Sequence, residues 1–138
     1  MMEVTDIFYN GGLNCAESTL HILIERGVID APIETVRMMT GFGGGMQRGE
    51  VCGALVGAIA AIGWVKGRTE TGQDRKPTAD AVRTLLKQFE EEFGAIRCEE
   101  LRQLHSGGVQ TKSDKMYRAC TPFVERAAEM VEELLKEA

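Results

Sequence analysis

The sequence predicts an all-α protein, a single domain of about six helices that spans residues 1–138. Apolar residues recur at helical spacing through most of the chain, and no run that alternates apolar with polar residues is long enough for a strand. The chain has 138 residues, of which 43% are hydrophobic and 27% are charged. This length and composition suit one globular domain with its own core.

Two helices are predicted before residue 30. Apolar residues between positions 4 and 8 favour a short first helix, which the glycine pair at 11–12 ends. Asn14 is a favourable N-cap for the second helix, and Glu17 occupies the third helical position. Together they form a capping-box-like pattern, and Gly27 is expected to end the helix.

The middle of the chain combines a short helix, a glycine-rich loop and an apolar helix. Pro32 opens the third helix, which is expected to close at Gly41. The loop 41–46 contains four glycines, which favour neither helix nor strand. The fourth helix is expected from Glu50 to about Trp64. Its small residues, among them Gly49, Gly53 and Gly57, give this helix a flat face. Another helix or a ligand can approach such a face closely.

Three further helices are predicted in the C-terminal half. The fifth starts at Pro77-Thr78, carries an apolar stripe at i, i+3, i+4 and i+7, and ends at Gly94. A short sixth helix begins around Cys98 and ends near the glycines at 107–108. A last helix is expected to start near Thr121-Pro122, because proline suits the first helical position.

Charge and hydropathy exclude two classes of partner. The net charge is −5 and the isoelectric point is near 5.1. Nucleic-acid binders are usually basic, and an anionic membrane surface repels an acidic protein. The longest uncharged run, Val51–Val65, has fifteen residues, fewer than the roughly 20 that a membrane-spanning helix needs. We therefore expect neither nucleic-acid binding nor membrane insertion.

The N-terminus carries no export signal, so a cytoplasmic location is expected. Thiols are mostly kept reduced there, which disfavours structural disulfides. The cysteines Cys15, Cys52, Cys98 and Cys120 are at least 22 residues apart and form no CxxC pair. Any site that they share must be assembled by the tertiary fold.

All four cysteines are predicted near helix N-termini. Cys15 follows its N-cap, Cys52 lies about one turn into the fourth helix, Cys98 starts its helix, and Cys120 immediately precedes the last helix. Unpaired N–H groups and the positive end of the helix dipole favour thiolates there. Four such ends that point inward would favour an anionic iron–sulfur cluster.

Several interpretations of the cysteines remain open at this point. Four thiolates can ligate a [2Fe–2S] or [4Fe–4S] cluster for one-electron transfer. The same ligands can hold zinc, which is redox-inert and structural. Cysteine pairs can instead cycle between dithiol and disulfide without a metal. Finally, the cysteines can simply pack in a helical interaction module, in which the flat glycine and alanine face would suit a homodimer.

The cysteine pattern resembles a bacterial and archaeal family of redox-active proteins named C_GCAxxG_C_C. The resemblance rests on Cys15 in Asn14–Glu17, on the glycine-rich segment 41–45, on Cys52-Gly53-Ala54 with Gly57, and on Cys98 and Cys120 in order. It covers nearly the whole chain and implies a helical redox protein with a bound prosthetic group such as an iron–sulfur cluster. A related domain occurs in split-Soret cytochromes, whose haem motifs this chain lacks.

Other residues are candidates for the same site. Gly43, Gly44 and Gly45 can present N–H groups to an anion or a cluster, and Gly53 and Gly57 can let a cofactor approach the fourth helix. A redox partner protein or a small electron carrier is implied, while the sequence leaves open whether the protein is an enzyme. Weaker candidates for the site are Arg48, His21, His105, Trp64 and Tyr117.

Overall fold

The computed structural model describes residues 3–106 and 114–136. Within these ranges the chain is helical and has no strand, so the predicted all-α class is confirmed. Five α-helices are present: α1 (Cys15–Glu25), α2 (Gly53–Lys66), α3 (Lys76–Phe93), α4 (Cys98–Ser106) and α5 (Asp114–Lys136). Shorter helical segments are a π-helical turn at Thr5–Tyr9, a 3-10 helix at Ile33–Phe42 and a distorted turn at Gly45–Gly49.

Helix α2 is the central helix of the fold and packs against α1, α3 and α5. It is apolar on every side, as expected for a helix surrounded by other elements. Its glycine and alanine face is covered by α1, since a Cβ on Gly57 would lie 2.5 Å from the Ala16 carbonyl oxygen and 3.0 Å from Thr19 Cβ. This face therefore serves packing within the chain. It gives no support to the homodimer that the sequence suggested, and oligomerisation stays a prediction.

The predicted capping box at the start of α1 is confirmed. Asn14 Oδ1 accepts a hydrogen bond from the Glu17 N–H at 2.9 Å, and Glu17 Oε1 accepts one from the Asn14 N–H at 2.9 Å. The same two side chains bind the 3-10 helix, because Asn14 Nδ2 donates to the Thr40 carbonyl at 2.9 Å and Thr40 Oγ1 donates to Glu17 Oε2 at 2.7 Å. The cap thus joins α1 to the segment that leads into the glycine-rich turn.

Replacing Asn14 by alanine is expected to lower the free energy of unfolding by about 1–2 kcal/mol, since a side-chain N-cap is lost together with the link to Thr40. Urea denaturation followed by circular dichroism measures the change. The exposed Asn10 provides the control: Asn10→Ala should change stability by less than about 0.5 kcal/mol. Equal effects of the two substitutions would contradict a specific capping role.

Two predicted helix starts are wrong, and both concern cysteines. Helix α2 begins at Gly53 rather than at Glu50, so Cys52 is its N-cap residue instead of lying one turn inside. The reason is an antiparallel bridge between Val51 and Arg97, which keeps the preceding backbone extended. Local sequence shows no sign of this long-range pairing.

The last helix begins at Asp114 rather than near Thr121, and Cys120 and Pro122 both lie inside it. Cys120 therefore does not precede a helix N-terminus. An internal proline costs about 3 kcal/mol through a lost hydrogen bond and a clash with the carbonyl four residues earlier. The buried apolar stripe that follows offsets this cost by packing against α1, α2 and α3.

The third predicted helix is a 3-10 helix that passes through Gly41 and ends at Phe42. The expected end at Gly41 is therefore wrong by one residue. None of the helices in residues 3–106 and 114–136 is long and apolar enough to cross a membrane.

Candidate four-cysteine site

The four cysteines, far apart in the sequence, line one cavity of about 480 Å³. All four are free thiols; Cys52 and Cys98 are buried, and Cys15 and Cys120 are partly buried. Apolar, glycine and polar residues complete the described walls, namely Phe8, Asn14, Gly43, Gly44, Gln47, Arg48, Gly49, Glu99, Leu101, Arg102 and Phe123. The tertiary fold thus brings together all four cysteines that the sequence singled out.

The bridge between Val51 and Arg97 places Cys52 beside Cys98. The Cys52 N–H donates to the Ile96 carbonyl at 2.8 Å, and the Cys98 N–H donates to the Glu50 carbonyl at 2.6 Å. Backbone pairing on both sides therefore holds these two cysteines at the starts of α2 and α4. Main-chain hydrogen bonds therefore help to set the relative position of Cys52 and Cys98.

Cys15 reaches the cavity because Gly53 has no side chain. A Cβ on Gly53 would collide with Cys15 Sγ, and it would also lie 3.1 Å from the Phe42 carbonyl oxygen and 3.2 Å from the Ala16 nitrogen. Gly53 therefore allows the close approach of α1 and α2 at their N-terminal ends. Neither Gly53 nor Gly57 is among the described residues that line the cavity, and Gly57 lies further along α2 against α1. Contact of either glycine with a cofactor stays a prediction.

Burial is the largest influence on the pKa of each of the four thiols in the cavity. It raises the pKa of Cys15 and Cys98, raises that of Cys52 well above its usual value, and raises that of Cys120 to about 12. Repulsion between neighbouring thiolates adds to the pKa increase of Cys52 and Cys120. In the absence of a metal the cavity therefore favours four neutral thiols.

Backbone N–H groups partly oppose this effect at two cysteines. Gly44 and Ala16 donate to the Cys15 sulfur, and Ala54 and Leu55 donate to the Cys52 sulfur; both sets lower the thiol pKa. These donors lie at the starts of α1 and α2 and in the glycine-rich turn, where unpaired N–H groups are available.

The glycine-rich segment forms a left-handed turn at the edge of the cavity. Gly44, Gly45, Met46 and Gln47 have φ values of 61°, 65°, 58° and 64°. The left-handed conformation costs about 1–2 kcal/mol at each non-glycine residue. Strain of this kind is common at functional sites. Here the turn directs the Gly44 N–H at Cys15.

The three candidate glycines occupy different places around this turn. Gly43 and Gly44 line the cavity, and their contact with a bound group stays a prediction. Gly45 packs against Glu50 and Cys98 beside the cavity. A Cβ on Gly45 would lie 2.6 Å from the Glu50 nitrogen and 2.8 Å from Cys98 Cβ. Gly45 therefore allows the turn to close over the start of α4.

Arg102 is a site residue that the sequence analysis missed. It lies on α4, partly buried, and its side chain faces the cavity. Its charge lowers the pKa of Cys15, Cys98 and Cys120, and it donates a hydrogen bond to the Cys120 sulfur. The signal that could have found it is its position four residues after Cys98, which places both side chains on one helix face.

The weaker candidates take other positions. Arg48 lines the cavity rim, but its side chain is 80% exposed and lies 3.9 Å from Glu50 Oε2. Trp64 Nε1 donates to Asp30 at 2.8 Å on the surface. The side chain of Tyr117 lies outside the described part of the structure.

Neither histidine is among the described residues that line the cavity. His105 Nε2 lies 2.8 Å from the Phe93 carbonyl oxygen, and its ring packs against Phe123. His21 is partly buried on α1. Across residues 3–106 and 114–136, no three cysteine, histidine or carboxylate side chains are arranged to hold a single metal ion.

Comparison with known proteins gives one result. A family model described as "Putative redox-active protein (C_GCAxxG_C_C)" matches residues 13–134 and so includes all four cysteines. The comparisons with curated proteins and with solved structures gave no match.

Proposed function

Because the chain belongs to the C_GCAxxG_C_C family of redox-active proteins, we propose that its four cysteines ligate an iron–sulfur cluster for electron transfer. The observation that carries this proposal is the convergence of Cys15, Cys52, Cys98 and Cys120 on one cavity. Four cysteine thiolates are the usual ligand set of [2Fe–2S] and [4Fe–4S] clusters. A bound cluster would supply one-electron redox chemistry at this place.

The cavity suits an anionic group of several atoms. Its volume of about 480 Å³ is large enough for such a group beside the thiols that line it. The N–H groups of Gly44 and Ala54 and the guanidinium of Arg102 are directed at the cysteine sulfurs. Hydrogen bonds to sulfur and nearby positive charge both stabilise an anionic cluster.

The protein groups have separate tasks in this proposal. The four sulfurs hold the iron, and the N–H donors from Gly44 and from the start of α2 orient Cys15 and Cys52. Phe8, Leu101 and Phe123 are buried and form apolar walls, which limit the access of water. Burial of a cluster in this way lowers the local dielectric and influences its potential.

Zinc could use the same four ligands. In a structural zinc site the thiolates close around the ion at about 2.3 Å in a tetrahedron. The cysteines here surround a larger cavity, and zinc would give no redox activity. A redox role for the four cysteines therefore favours iron over zinc in this proposal.

A metal-free dithiol mechanism has weaker support. Thiol–disulfide exchange needs an accessible thiolate, which a lowered thiol pKa provides. Burial raises the pKa of all four cysteines here. The absence of a reactive thiolate in the metal-free cavity makes exchange slow at neutral pH.

Anaerobic purification and reconstitution with iron and sulfide test the proposal. We expect iron and acid-labile sulfide in stoichiometric amounts, with visible absorbance that decreases on addition of dithionite. Thiol titration of the metal-free protein should give four reactive groups after denaturation, before and after mild reduction. A colourless product without iron would contradict the cluster. A thiol count that rises on reduction would instead favour disulfide cycling.

A further inference from the structure

Arg102 is a partly buried cation that lines the same cavity as all four cysteines. It lies on α4 four residues after Cys98, which places the two side chains on one helix face. Its Nη2 atom also lies 3.8 Å from the point where a Cβ of Gly44 would be. The side chain thus extends from α4 across the cavity to the left-handed turn.

A second arginine in the same cavity provides a contrast. Arg48 is 80% exposed and lies beside the Glu50 carboxylate, which offsets its charge. Solvent screening weakens an exposed charge far more than a partly buried one. Both arginines line the cavity, but the charge of Arg102 is screened less by solvent than the charge of Arg48.

We infer that Arg102 offsets the negative charge of the ligated thiolates from its place in the cavity wall. The consequence for a bound cluster, a higher reduction potential, rests on the function proposed above. On reduction the cluster accepts one electron from a one-electron donor such as dithionite, and no bond forms or breaks. Because the reduced state carries one more negative charge, a nearby guanidinium stabilises it more than the oxidised state.

Potentiometric titration of the reconstituted protein tests this consequence. Arg102→Gln should shift the reduction equilibrium toward the oxidised state by about tenfold, which is about 59 mV for a one-electron couple. Arg102→Lys keeps the charge and should lie closer to wild type. Arg48→Gln, which removes a cation from the same cavity, should shift the potential much less. Equal potentials for wild type and Arg102→Gln, or equal shifts for both glutamine variants, would overturn the inference.

Two failures can be told apart in this experiment. Wild-type protein that takes up no iron on reconstitution would contradict the proposed function and the inference with it. An intact cluster whose potential is the same in wild type and Arg102→Gln would overturn the inference alone.

Discussion

Replacing Cys52 by serine is expected to abolish cluster assembly, leaving less than about one tenth of the wild-type iron after anaerobic reconstitution. Cys52 is the N-cap of α2, is 5% exposed and lies in the cavity wall. Serine has nearly the same shape, but its hydroxyl oxygen is a poorer ligand for this kind of site than a soft thiolate. Iron and sulfide analysis gives the measurement.

The matched control places a hydroxyl elsewhere in the same helix. Ala58 is fully buried in α2, and a serine there can bond to the carbonyl four residues earlier. Ala58→Ser should retain wild-type iron content. Similar iron loss in both variants would show that the effect comes from lost stability. Full iron retention in Cys52→Ser would show that Cys52 is not a ligand.

Replacing Gly53 by alanine is expected to lower the free energy of unfolding of the metal-free protein by about 1–3 kcal/mol. The added Cβ would overlap Cys15 Sγ, which would have to rotate away from its present position. It would also crowd the backbone of Phe42 and Ala16, which cannot move without shifting the glycine-rich segment or α1. Displacement of Cys15 should also reduce iron uptake. Urea denaturation measures stability, with an unchanged slope indicating that the denatured state is the same.

Gly63→Ala, in the same helix, is a control that is expected to change stability in the opposite direction. A Cβ on Gly63 would meet nothing within 4 Å. Gly63→Ala should therefore raise stability by about 0.5–1 kcal/mol, because alanine favours the helix and restricts the unfolded chain. If Gly53→Ala stabilised the protein as Gly63→Ala does, the result would contradict a close contact between α1 and α2 at Gly53.

The start of α1 shows what local sequence can predict. Asn14 and Glu17 interact over three residues, so the capping box follows from their spacing and is present as expected. Cys15 and Cys98 likewise lie at the first positions of their helices, where capping and glycine signals placed them. These features depend on hydrogen bonds within one turn of the chain.

Cys52 and Cys120 show where the same reasoning fails. The start of α2 depends on pairing between Val51 and Arg97, which are far apart in the sequence. The position of Cys120 within α5 depends on packing that outweighs the helix-breaking tendency of Pro122. In both cases a tertiary contact overrides a local preference.

The sequence by itself determined the all-α class, the order of the cysteines and the family, because these depend on periodicity and on a motif pattern along the chain. Only the tertiary structure decided that the four cysteines meet, that Gly53 admits Cys15, and that Arg102 donates to Cys120. The physical reason is that burial and electrostatic interaction depend on distance in space. That distance is set by how α1, α2, α4 and α5 pack together.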